Sequence, residues 1–74
     1  MSGEIKTRLA VLDAPYHREI WLDDVLFESG MRLLRVTIKE GRRFTQLDLD
    51  NETAARWGQT MLDWARRTKE GHSE

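Results

Sequence analysis

The chain has 74 residues, a formal net charge of -1 and no cysteine. This length allows a single domain, and the absence of cysteine excludes disulfides and thiolate metal sites. The near-neutral charge does not by itself indicate a nucleic-acid partner. A domain this small buries only about 60% of the surface that its unfolded chain exposes, so we expect oligomerisation to contribute to its stability.

The composition is that of a soluble globular protein, with 39% hydrophobic and 34% charged residues. We expect one domain over residues 1–74, with an ordered core near residues 5–68 and short loose tails. No apolar run approaches the ~20 residues of a membrane helix. The first eight residues lack the apolar region of a secretory signal. The sequence therefore predicts a cytoplasmic protein with no membrane partner.

The first part of the chain predicts two strands. Apolar and polar residues alternate from Ile5 to Val11, which indicates a strand near residues 5–12 at a sheet edge. The cluster around Pro15 predicts a loop before a second strand near residues 19–28. The apolar residues of that strand change phase at Asp23-Asp24, so we expect a β-bulge there. A helix over residues 20–28 is the alternative.

Two turns predict the next strands, near residues 31–39 and 42–49. Glu40-Gly41 suits a two-residue hairpin turn, which would pair Ile38 with Arg43. Ser29-Gly30 suits a second turn, which would pair Val25 with Leu34 and bring Val25 and Phe27 onto the apolar face. The 31–49 hairpin sorts into an apolar face of Leu34, Val36, Ile38, Thr45, Leu47 and Leu49 and a mixed face of Leu33, Arg35, Thr37, Lys39, Phe44, Gln46 and Asp48.

The C-terminal segment predicts an amphipathic helix that begins after Asp50 as its N-cap and ends near Gly71. At 100° per residue one half of the helix is apolar. That half consists of Ala54, Trp57, Gly58, Met61, Leu62, Trp64 and Ala65. The fold class is therefore α+β: a four-stranded antiparallel β-sheet followed by one C-terminal α-helix (ββββα), with the helix expected to pack on one face of the sheet.

Gly58 lies within the apolar half of this helix, where glycine costs about 1 kcal/mol relative to alanine. One explanation is close packing of the helix on its own sheet. The other is a contact across a homodimer axis, and it gives a candidate interface of Trp57, Gly58, Met61 and Trp64.

Charge is unevenly distributed along the strands. Residues 13–28 are mainly acidic, and residues 31–46 are mainly basic. This pattern fits complementary pairing between neighbouring strands, and it also fits a basic binding surface. In the second case cations would follow phosphates and one ring would stack on a base. The candidate nucleic-acid-binding residues are Arg35, Lys39, Arg42, Arg43 and Phe44.

Residues able to carry chemistry are few. His17 lies beside Tyr16 and Glu19 in a loop, the usual position of a solvated surface histidine. Asp23 and Asp24 are adjacent strand residues, whose side chains point to opposite faces. We therefore expect no enzyme activity, no catalytic residue, no metal site and no cofactor.

The order of elements resembles the transcriptional coactivator family known as positive cofactor four, which binds single-stranded DNA. The resemblance rests on the strand pattern of residues 5–49, on the junction Leu47-Asp48-Leu49-Asp50-Asn51-Glu52, and on Trp57 in the following helix. It implies four strands, a C-terminal helix and a dimer formed through the helix and neighbouring strand edges. No binding motif of that family matches residue by residue.

Two functions follow from these observations. The first is a small non-enzymatic module that binds single-stranded nucleic acid, as a transcription cofactor does. The alternative is a protein–protein interaction or adaptor domain that acts as a homodimer, in which the acidic strand and the basic hairpin select the partner.

Overall fold

The computed structural model describes residues 3–71 and has the predicted ββββα architecture. Its four strands form one antiparallel sheet in the order β1-β2-β3-β4, so β1 is an edge strand, as expected. The segment proposed alternatively as a helix is strand. The elements are β1 (Glu4–Ala14), β2 (Arg18–Phe27), β3 (Arg32–Glu40), β4 (Arg43–Leu49) and α1 (Asn51–Gly71).

The β3–β4 hairpin turns one residue later than the sequence suggested. Its two-residue loop is Gly41-Arg42, because Glu40 pairs with Arg43 and Ile38 pairs with Thr45. Gly41 has a φ of 60°, a conformation that glycine adopts without steric penalty at the first position of such turns. The predicted pairing of Ile38 with Arg43 is wrong by two residues. A shift of two keeps every side chain on its face, so the predicted faces are correct.

The β2–β3 pairing corrects the position of the bulge. Val25 pairs with Leu33, one residue from the predicted partner, and Asp23 pairs with Arg35. The loop of the β2–β3 hairpin is longer than the predicted Ser29-Gly30 turn. Across this loop the N–H of Phe27 donates to the Met31 carbonyl at 2.8 Å. The β2–β3 register is continuous through the two aspartates, and the register shift lies in β1 between Arg8 and Ala10.

Two faces of the sheet follow from this register. Val25 and Phe27 leave the predicted apolar face, whereas Ile20 and Leu22 lie on it. The apolar sheet face contains Ile20, Leu22, Leu26, Leu34, Val36, Ile38, Leu47 and Leu49. It also carries two ion pairs towards its ends, Arg32–Asp24 and Arg18–Glu40. The polar sheet face contains Arg8, Trp21, Asp23, Val25, Arg35, Thr37, Lys39, Phe44 and Asp48.

Apart from a few contacts between its N-terminal half and the sheet near Leu49, the helix does not pack on either face of its own sheet, which corrects the predicted arrangement. Asp50 alone connects β4 to α1, and its carboxylate accepts a hydrogen bond from the Thr53 N–H at 2.8 Å. Hydrogen bonds from the side chain and the backbone N–H of Thr53 lower the pKa of Asp50 by favouring its ionised form. The chain measures 53 × 30 × 15 Å, with a radius of gyration of 15.0 Å. A compact chain of this length would have a radius of about 11 Å. The helix therefore projects from the sheet.

Within residues 3–71, α1 does not contain an apolar stretch long enough to cross a lipid bilayer.

Candidate functional site

The polar sheet face is covered by its own ion pairs. The Asp23 carboxylate is only 1% exposed and accepts a hydrogen bond from Arg8 Nε at 2.5 Å. The same guanidinium lies 4.8 Å from the centre of the Trp21 ring. A buried carboxylate needs such a partner, since an unpaired charge would be costly away from water. Arg8 therefore neutralises the charge of Asp23 and covers this part of the polar sheet face.

Arg35 is held by a carboxylate of the neighbouring strand. Its Nε and Nη2 atoms donate to the two oxygens of Asp48 at 2.9 and 3.1 Å. This bidentate bond is the largest cause of the raised pKa of Arg35 and of the lowered pKa of Asp48. Arg35, a candidate phosphate contact, already has its charge balanced within the sheet.

The other candidate nucleic-acid residues lie at or beside the β3–β4 turn. Arg42 and Arg43 are exposed, and Lys39 pairs with Phe44 across the hairpin. The Phe44 ring is 52% exposed, with its centre 5.7 Å from that of Trp21. The structure thus brings these four residues together and adds a second ring. Trp21 is not among the residues predicted from the sequence, because the hairpin register placed only Phe44 on this face and β2 was not included in it.

Beside this turn lies an open cleft of about 480 Å³ that contains His17. Its lining is polar and mixed in charge, with Asp13, Arg18, Glu19 and Lys39. Arg18 also donates to Glu40 at 2.5 Å, a bond that is the main cause of the lowered pKa of Glu40. Nothing in this lining joins a nucleophile to a base in a water-poor pocket.

The apolar side of α1 is open to solvent. It contains Ala54, Trp57, Gly58, Met61, Leu62, Trp64 and Ala65, and only Ala54 is half-buried. Trp57 is 41% exposed, Met61 56% and Trp64 59%. A Cβ added to Gly58 would meet nothing within 4 Å. The explanation of Gly58 by packing on its own sheet is therefore wrong, and the contact across a dimer axis stays a prediction.

The apolar sheet face is likewise not covered by any other element of residues 3–71. Val36 and Leu49 are buried among their neighbours, at 5% and 8% exposure, but Leu47 at the edge is 48% exposed. Leu49 and Trp57 line one shallow groove of about 330 Å³ where the sheet meets the helix. The apolar sheet face and the apolar side of α1 are thus continuous through this groove.

Comparison with known proteins gives one match. No curated protein and no solved structure is similar to the chain. Residues 3–67 match a family described as a family of unknown function (DUF6967), and the chain belongs to that family.

Proposed function

We propose that the protein is a non-enzymatic protein-interaction module that acts as a homodimer, with the apolar side of α1 as its contact surface. The exposure of that side carries the proposal. Two tryptophans, a methionine and a leucine form one apolar stripe on a helix over which the described part of the chain places no second layer. Tryptophan and methionine are enriched at the centres of protein interfaces.

A second copy is the occupant that best fits the architecture. A domain needs at least two packed layers around a core, and residues 3–71 supply one sheet with a projecting helix. Each copy carries the same two uncovered apolar surfaces, so a two-fold axis completes both copies at once.

The size of the two surfaces supports this stoichiometry. A 21-residue helix presents a stripe of roughly 300 Å², given its rise of about 1.5 Å per residue and its width of about 10 Å. Four strands about 4.8 Å apart present a face of roughly 450 Å². A stable interface takes about 800 Å² from each partner, which neither surface reaches alone and both together approach.

Gly58→Ala should have opposite effects in the two cases: it should stabilise a monomer and weaken a homodimer. In a monomer the new methyl group would meet nothing, so the free energy of unfolding should rise by about 1 kcal/mol through helix propensity. In a homodimer with close approach at Gly58, the methyl group should weaken association several-fold. Sedimentation equilibrium at micromolar concentration measures both the mass and the dissociation constant.

Gln59→Ala is the matched control, because it raises helix propensity on the side of α1 that faces away from Gly58 and Met61. It should leave the dissociation constant unchanged. A wild-type protein that sediments as a clean monomer, or a Gly58→Ala variant that dimerises as tightly as wild type, would contradict the proposal.

Single-stranded nucleic acid is the second candidate ligand, favoured by the cluster at the β3–β4 turn. Lys39 pairs with Phe44, whose exposed ring stands next to Trp21. Arg42 lies in the adjoining turn, and Arg43 pairs with Glu40 on the other face of the hairpin. Cations beside a ring provide phosphate contacts and a stacking surface. The pairing of Arg35 with Asp48 makes this surface smaller than the sequence suggested.

Titration of labelled single-stranded oligonucleotides at two salt concentrations tests this candidate. Binding should fall steeply with salt, because phosphate contacts release counterions. The double variant Arg42→Ala, Arg43→Ala should flatten the salt dependence. Its control, Arg66→Ala with Arg67→Ala on α1, removes the same charge elsewhere and should not. Absence of binding at low salt would eliminate this candidate.

A further inference from the structure

We infer that the apolar sheet face of each copy is covered by α1 of the other copy, so that the two subunits exchange helices. This inference rests on the proposed homodimer and specifies which surfaces meet in it. Each subunit would then gain its second layer from its partner.

The connection between β4 and α1 prevents the helix from covering its own sheet. β4 ends at Leu49 and α1 begins at Asn51, so Asp50 is the whole linker. Strand-to-helix connections that fold a helix back onto its sheet usually take 2–6 residues. The Asp50 side chain also caps the first turn, which fixes the direction in which the helix leaves. Residues 3–71 therefore supply no cover for the apolar sheet face, and a second copy supplies it in the proposed homodimer.

The apolar side of α1 has the shape and chemistry to serve as that cover. Ala54, Gly58 and Ala65 are small, so the helix can approach a sheet closely between its larger side chains. Met61 adapts to irregular surfaces. The apolar sheet face offers aliphatic side chains from β2, β3 and β4, and sheet against helix is a standard way to close a two-layer domain.

The polar sheet face cannot take the helix in the same way. Its centre is occupied by the Arg8–Asp23 and Arg35–Asp48 pairs, whereas the two ion pairs of the apolar sheet face lie towards the ends of β2 and β3. An apolar stripe laid there would strip water from these charges without replacing any hydrogen bond. The exposed edge of β1 is a further place for a second copy, but its bulge at Leu9 interrupts the regular backbone pattern that strand addition needs.

Isotope-filtered nuclear Overhauser spectroscopy on a mixed dimer tests the exchange directly. One copy carries ¹³C label and the other is unlabelled, so that only contacts between subunits appear. We expect contacts from Trp64 and Met61 of one copy to the methyl groups of Leu22, Val36 and Leu47 of the other. A dimer whose contacts join only helix to helix, or only sheet to sheet, would overturn the exchange and leave the homodimer intact. A monomer would overturn both.

Leu47→Lys gives an independent measurement, with Gln46→Lys as its matched control. Both residues lie in β4 and both are exposed, but Leu47 is on the apolar sheet face and Gln46 on the opposite one. Under helix exchange, Leu47→Lys should raise the dissociation constant at least tenfold and Gln46→Lys less than threefold. Equal effects of the two substitutions would contradict the inference. Circular dichroism of each variant checks that the fold is retained.

Discussion

Replacing Met61 with lysine is expected to weaken the homodimer about a hundredfold, which corresponds to roughly 2.7 kcal/mol. Met61 lies near the middle of the apolar side of α1 and is 56% exposed in the isolated chain, so the substitution costs the monomer little. In the dimer the lysine ammonium would have to leave water without a partner of opposite charge. Sedimentation equilibrium over a range of concentrations measures the change.

Gln59→Lys is the control for this substitution. It introduces the same charge two residues away, on the side of the helix opposite Met61, and lysine and glutamine are similar helix formers. We expect its dissociation constant to stay within about threefold of wild type, a difference of under ~0.7 kcal/mol. If both variants raise the dissociation constant equally, net charge and not the apolar side of α1 controls association. If neither variant raises it above the wild-type value, the contact surface lies elsewhere.

The fold could be predicted because its signals are local. Alternation in β3 and β4 separates an apolar face from a mixed one whatever the exact turn, since a register error of two residues keeps the faces. The Asp50 cap likewise follows from residues close in sequence. The bulge could not be placed in this way. Aspartates at 23 and 24 interrupt the apolar pattern of β2, but Asp23 is buried because Arg8, fifteen residues earlier, reaches it.

In the candidate sites too, features set by local sequence could be predicted, and features set by contacts between distant residues could not. The apolar side of α1 was predicted from helical periodicity alone, and the structure shows it exposed. That it would be uncovered could not be predicted, because this depends on where a helix with a one-residue linker points. Arg35 looked available as a phosphate contact because its sequence neighbours are basic. Its actual partner, Asp48, lies on the next strand and became visible only with the register.

Arg8→Met is expected to lower the free energy of unfolding by about 3 kcal/mol, because it leaves a buried charge unpaired. Methionine keeps much of the aliphatic stem of arginine, so most of the loss comes from the missing guanidinium, which bonds Asp23 and lies over the Trp21 ring. Asp23 is 1% exposed and water cannot replace that partner without opening the sheet. Urea denaturation at pH 7 measures the loss, at one fixed protein concentration, because association shifts apparent stability.

A double-mutant cycle with Asp23→Asn separates the buried charge from ordinary packing. Asp23→Asn alone leaves Arg8, whose side chain is 43% exposed, free to be hydrated. The double variant removes both charges, so it should be more stable than Arg8→Met alone by at least ~1 kcal/mol. If the second substitution restores no stability, the carboxylate is already balanced by Arg35, its pairing partner on β3. In that case the two arginines share the charge of Asp23, and only their joint replacement should expose its full cost.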